Sequence, residues 1–251
     1  LAVLAAVSPC HAAEQRVSSP DGTISVIVND AGGLHYRVEV DGKPLVQDSP
    51  LGLEFQGDVV LGRSAVIRKA DSTKNDGSWE DLFGNRRVVP DRYAQLALTL
   101  VEPADGRVFG LLVRAYDNGI AFRYVLPNES KLGEFVLTRE LTEFRLGAET
   151  HCRLGTPSPC AESNYPNAAI GMLKAGEKGV VPLLAETPAA LAAVCESDVR
   201  DWAAMFLEKN AAGDGVAVSL PDRLDKRGKV VSRVPRSSPW RVVMIARTAK
   251  D

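Results

Sequence analysis

Apolar and polar residues alternate with a period of two along several stretches of this chain, with turn residues about every eight to twelve positions. Thr23–Val28 (TISVIV) runs into the turn Asn29-Asp30-Ala31-Gly32-Gly33. Leu34–Val40 (LHYRVEV) alternates up to the hairpin signal Asp41-Gly42, and Lys43–Val46 follows. The same grammar returns in Ala94–Glu102, Arg107–Tyr116 and Ile120–Leu126, divided by turns at Pro103–Gly106 and Asp117-Asn118-Gly119. Leu191–Val194 is a short apolar run that predicts a buried strand ending in the step Cys195-Glu196. Lys229–Val234 and Trp240–Ile245 predict two final strands around the loop Pro235–Pro239. Successive side chains on a strand point to opposite faces, so such runs bury one face each. Antiparallel sheets stacked on their buried faces are the economical solution, and the expected fold class is an all-β, large antiparallel β-sandwich. Helical periodicity is weak throughout, with short helical pieces expected at most around Asp198–Leu207.

Two segments break this pattern. Asp71–Asp91 (DSTKNDGSWEDLFGNRRVVPD) is polar and rich in turn residues, with Trp79 and Phe83 as its expected anchors to the core. Gly147–Pro166 reads as a second long loop. Ordered loops of this length on a β scaffold often carry function.

Composition narrows the class further. The chain has 251 residues, 45% of them hydrophobic and 25% charged, with a formal net charge of −2. That balance suits one well-packed core and offers no electrostatic footprint for nucleic acid. No apolar run approaches the ~20 residues of a membrane-spanning helix. Leu1–Val7 is apolar and alanine-rich, and Ser8-Pro9-Cys10-His11-Ala12 leads to Ala13. Residues 1–12 read as the remnant of a signal peptide cut after Ala12, implying export and a periplasmic location. The other reading of the segment is an ordinary apolar strand. An oxidising compartment would permit a disulfide between Cys152 and Cys160, eight positions apart by their numbers. Cys195 suits a buried apolar role. Thiol catalysis would need an imidazole, and only His11, His35 and His151 are present.

Candidate chemistry is sparse. Glu196 stands where a buried strand ends, held by rigid backbone yet free to reach beyond the domain, which suits a metal ligand or a catalytic acid. Solvation or simple ion pairing is its alternative reading. Arg114 and Arg123 face each other across a hairpin, as sugar or carboxylate contacts or as partners of acidic neighbours. Trp79, Trp202 and Trp240 are either sugar-stacking faces or packing anchors. The carboxylates Glu80-Asp81 and Glu140 with Glu143 read as solvated surface acids. No phosphate loop, zinc-protease motif or nucleophile elbow occurs, and the residues point to no catalytic group.

Several blocks together resemble the N-terminal β-sandwich domain of glycoside hydrolase family 97. Ser19-Pro20-Asp21-Gly22 is similar to its opening, and Asp41-Gly42-Lys43-Pro44 with Ser49-Pro50-Leu51-Gly52-Leu53 to its next block. Tyr116-Asp117-Asn118-Gly119-Ile120-Ala121-Phe122-Arg123-Tyr124 is the most distinctive match. Glu143-Phe144 and the closing Pro239-Trp240-Arg241-Val242-Val243-Met244-Ile245 fit as well. The resemblance implies a galactose-mutarotase-like supersandwich over residues 19–247, with a catalytic (β/α)8 barrel following residue 251. It implies an α-glucosidase or α-galactosidase as the intact enzyme, with an α-linked oligosaccharide or glycoside as substrate. In such enzymes a strand ends in a His-Glu step whose glutamate ligates a calcium ion shared with the barrel. Val194-Cys195-Glu196, Asp201-Trp202 and Met205 fall at the matching positions, so only Glu196 inherits the calcium-ligand role, and Cys195 replaces the histidine. Two rival readings are a stand-alone carbohydrate-binding module and an interaction domain of the cell envelope, both without catalysis.

Overall fold

A computed structural model describes residues 13–250 apart from 85, 159–161 and 163. The expected signal-peptide remnant, residues 1–12, lies outside the described residues. Antiparallel pairing dominates and builds three sheets. A four-stranded meander runs in chain order through Glu14–Ser18, Ile24–Asn29, His35–Val40 and Lys43–Pro50. A second four-stranded sheet orders Val230–Arg233, Glu134–Glu140, Leu53–Phe55 and Val59–Leu61. These two sheets meet where the Leu34 N–H donates to the Gly62 carbonyl and the Leu51 N–H to the Leu34 carbonyl.

The third sheet has thirteen strands. At its centre Leu191–Ser197 pairs with Trp240–Ala246, which pairs with Gly119–Leu126, then Val108–Tyr116, Val88–Val101 and Val66–Glu80. Alternation sorts these strands into two faces. Val194, Val243, Ile120, Phe122, Val113 and Leu96 turn inward and are buried, within one contiguous core that also takes in both smaller sheets. Tyr36 of the meander packs against Phe122 at 4.9 Å and edge-on to Phe144 at 6.4 Å between ring centroids, which locks two layers together. Phe55 and Phe135 meet edge-on at 5.5 Å in the other small sheet. The opposite, outer face of the large sheet carries Ala193, Cys195, Trp240, Val242, Met244, Arg123, Arg114 and Tyr93, alternating with these inward residues.

Three expectations are corrected. Asp71–Asp91 is not an anchored loop. It is the outer part of a long hairpin, Val66–Glu80 with Val88–Val101, whose register runs unbroken from Lys69↔Thr99 to Glu80↔Val88. Trp79 is 52% exposed and Phe83 96%, so neither anchors anything. Backbone pairing holds this ribbon together with Asn75 Nδ2 donating to Asp91 Oδ2 at 2.9 Å, and its sequence does not alternate because both faces meet solvent. Gly147–Pro166 contains the strand His151–Gly155, in which Cys152 is a buried free thiol, while Cys160 lies outside the described residues. Burial pushes the Cys152 thiol up to about 11. The segment around Asp198–Leu207 holds irregular chain bent at Asp201-Trp202 and then the strand Phe206–Lys209 rather than helix.

Candidate functional site

Glu196 lies directly opposite Arg241 in the register between Leu191–Ser197 and Trp240–Ala246. Its parity with Ala192 and Val194 turns its carboxylate toward the sandwich interior, near the end of the strand. Arg241 Nη1 donates to Glu196 Oε2 at 2.6 Å, and the Met205 N–H donates to Glu196 Oε1 at 2.9 Å. On its other edge Arg241 forms a bidentate pair with Glu140, Nε to Oε1 at 2.8 Å and Nη2 to Oε2 at 2.6 Å. The Arg241 and Glu140 side chains are 0% exposed and Glu196 8%. Sequence reasoning placed Glu140 among solvated acids. It is instead fully buried, because a guanidinium 101 positions along the chain satisfies both its oxygens.

The charges of this triad do not cancel. Arg241 and Glu140 form a closed, neutral fork, and Glu196 is a second carboxylate on the same guanidinium. Burial is the largest influence on Glu196 and lifts its carboxyl above its ordinary value of 4.5. The charge and hydrogen bond of Arg241 and the Met205 N–H pull it back only in part, and the Glu140 charge raises it further. An ionised Glu196 is therefore under-compensated at neutral pH, and a cation reaching it from outside would offset that charge. Each of its oxygens accepts one hydrogen bond and retains a free lone pair.

These residues fit one ligand of a hard cation and no more. Calcium takes roughly six to eight oxygens, and among the described residues no group of three or more His, Cys, Asp or Glu is arranged to hold a metal ion. Cys195 points to the outer face, away from the Glu196 carboxylate, so it cannot take over an orienting role toward Glu196. Burial and the Glu196 charge hold its thiol above the ordinary range, which keeps it protonated and non-nucleophilic.

The segment after Glu196 is built around unsatisfied donors. Asp198 (φ 59°) and Asp201 (φ 50°) both adopt the left-handed conformation, uncommon for residues other than glycine but tolerated by aspartate. Asp198 receives Arg123 Nη1 at 3.5 Å and Asp201 receives Arg236 Nη1 at 3.0 Å. Among the described residues, three buried side-chain nitrogens lack a hydrogen-bond partner within the chain: Arg123 Nε, Arg236 Nε and Trp202 Nε1. All three belong to this one corner. A cleft of about 1100 Å³ borders it, lined in part by Asp201, Trp202, Arg236 and Arg233. Buried donors without acceptors are costly, so this corner is locally under-satisfied.

On the outer face, Arg123 keeps the expected acidic partner in Asp198, while Arg114 stacks instead of pairing with a carboxylate. Arg114 lies over Tyr93 at 4.2 Å and over Trp240 at 4.7 Å, while Arg123 covers Trp240 at 4.4 Å. Arg114 Nε donates to Gln95 Oε1 at 2.9 Å rather than to a carboxylate. A four-layer stack, Tyr93–Arg114–Trp240–Arg123, thus runs across four neighbouring strands and up to the Asp198 corner. Trp240 is a platform between two cations, and Trp202 packs 6.4 Å from Phe135 as an anchor.

A large antiparallel β-sandwich whose core takes in all three sheets defines the class of this domain. Residues 17–251 match the family described as Glycosyl-hydrolase 97 N-terminal, and the chain belongs to it. It is 26% identical over 246 residues to a protein of Streptomyces bingchenggensis named probable retaining alpha-galactosidase, covering 95% of this chain and 37% of that one. Against the retaining alpha-galactosidase of Bacteroides thetaiotaomicron it is 20% identical, over 100% of this chain and 41% of the relative. A Glycoside Hydrolase Family 97 enzyme from Pseudoalteromonas sp. strain K8, solved in complex with acarbose, superposes with a TM-score of 0.85 at 24% identity, covering 94% of this chain and 36% of that one. The chain therefore spans about two fifths of the length of the curated relatives it matches.

Proposed function

We propose that the intact protein is an exported α-glycosidase in which this domain packs on a catalytic (β/α)8 barrel, closes one side of the sugar pocket and donates Glu196 to a calcium ion. The observation that carries this reading is the Glu196 carboxylate near the end of its strand, the second carboxylate on the single Arg241 guanidinium. That end of the strand thus offers one oxygen ligand to a cation, beyond which Asp201 and Trp202 border a cleft of about 1100 Å³. Arg241, fixed by Glu140, holds the Glu196 side chain in one orientation, and the Met205 N–H fixes its second oxygen. A bound calcium ion would supply local positive charge at the pocket. Hydrolysis itself calls for two carboxyl groups flanking the glycosidic bond, and the barrel would supply them. The names of the two curated relatives favour an α-galactoside over an α-glucoside. The apolar start, Leu1–Val7, supports export to the periplasm.

The test is turnover of p-nitrophenyl α-galactoside and α-glucoside by the purified 251-residue chain and by the intact protein. The expected result is hydrolysis by the intact protein, lowered by a calcium chelator, and none by the 251-residue chain. Hydrolysis by the 251-residue chain alone contradicts the proposal, as does an intact protein that turns over neither glycoside.

A further inference from the structure

The long hairpin leaves the large sheet as a free arm. Beyond the rung Ala94↔Lys74 its two strands pair only with each other, out to Glu80↔Val88. An isolated two-stranded ribbon is marginal in water, so an arm of this length needs something to lie against. Its end is nonetheless built. The Asp81 N–H donates to the Arg87 carbonyl at 2.8 Å, and Asp81 Oδ1 accepts the Phe83 N–H at 3.0 Å. This turn holds Leu82 and Phe83 outward, 79% and 96% exposed, beside Trp79 at 52% and Val88 at 56%. Four large apolar side chains at one tip are unusual on a free surface.

The occupant follows from the arm's faces. Asn75↔Tyr93, Gly77↔Asp91 and Trp79↔Val89 are alternate rungs, so these residues share one face. Tyr93 stacks on Arg114, which places that face in continuity with the outer face of the large sheet and the Trp240 platform. Whatever covers the outer face also meets the arm. In the relatives about three fifths of the chain lies outside the matched region, since coverage is 37% and 41% of their lengths.

We infer that the arm is a clasp: its tip, Trp79, Leu82 and Phe83, docks into an apolar seat on the remainder of the intact protein, the same body that covers the outer face. The inference rests on the proposed packing of this domain against its own catalytic part. A second copy of the chain is the competing occupant, and the test separates the two.

Arg86 and Arg87 place trypsin sites in the tip turn. In the intact wild-type protein the tip resists trypsin, and Leu82→Ser with Phe83→Ser raises the cleavage rate there by about tenfold or more, because cutting tracks the undocked population. The same pair of substitutions leaves the mass in solution unchanged. Equal cleavage of wild type and variant overturns the clasp, as does a wild-type dimer that the variant loses, which would assign the tip to a second copy. Should the clasp fail while chelation still lowers glycoside turnover, the proposed function stands and only the arm's role falls.

Discussion

Arg241→Met is expected to lower the stability of this domain by about 3–5 kcal/mol, the usual cost of breaking one partner out of a buried ion pair. The methionine fills similar space but leaves two carboxylates, Glu140 and Glu196, in a site where Arg241 and Glu140 are 0% exposed. Both carboxyls must then protonate or draw in water, and either response is costly. For a domain of this size the loss corresponds to a fall of roughly 6–20 °C in Tm. Glu140→Gln combined with Arg241→Met removes one of the stranded charges and should recover part of the loss. Thermal unfolding of wild type, single and double variants measures this. A Tm within about 2 °C of wild type for Arg241→Met would show that the triad is solvated and energetically idle.

Trp240→Ala is the second large effect. The ring separates two guanidiniums, with Arg114 at 4.7 Å and Arg123 at 4.4 Å from its centroid. Each cation–π contact contributes about 0.5–2 kcal/mol, and the lost packing of a half-buried ring brings the expected cost to about 2–4 kcal/mol. Arg123 would also lose the surface that fixes it beside Asp198. Trp240→Phe keeps a smaller platform and should retain most of the stability. Urea unfolding of the three proteins checks the order: wild type, then Phe, then Ala. An alanine variant as stable as the phenylalanine one would show that the stack contributes nothing.

Much of the architecture is legible in the sequence because burial on one face imposes a period of two. Thr23–Val28, Leu34–Val40, Arg107–Tyr116 and Trp240–Ile245 fall within a residue or so of observed strands for that reason. The arm is illegible for the converse reason: a ribbon wet on both faces has no pattern to show, although its two strands pair in unbroken register. Glu196 was visible as an acid at the end of an apolar run. Its environment was not, since Glu140 and Arg241 lie 101 positions apart in sequence and meet only across the folded sandwich. Glu140, two residues from the alternating Thr142 and Phe144, shares their inward parity, the one local signal that could have marked it as buried. The unpartnered donors of Arg123, Arg236 and Trp202 likewise exist only as a three-dimensional cluster.

The pH response follows from the same corner. Because the folded state raises the Glu196 carboxyl above 4.5, its contribution favours folding below that value and is lost as pH rises through the folded pKa. At neutral pH the ionised group is a liability unless a cation offsets it. Calcium should therefore stabilise the intact protein more at pH 7 than at pH 4.5, the ordinary value of that carboxyl.

Calcium titration of the intact protein by calorimetry, wild type against Glu196→Gln, tests the central claim most directly. The amide preserves shape and can still accept from Arg241, but it removes the unbalanced charge. The account predicts calcium binding weakened by about tenfold or more, since ligand charge sets the affinity of such sites. Equal calcium affinity in the two proteins would contradict it and leave Glu196 as a structural partner of Arg241 alone.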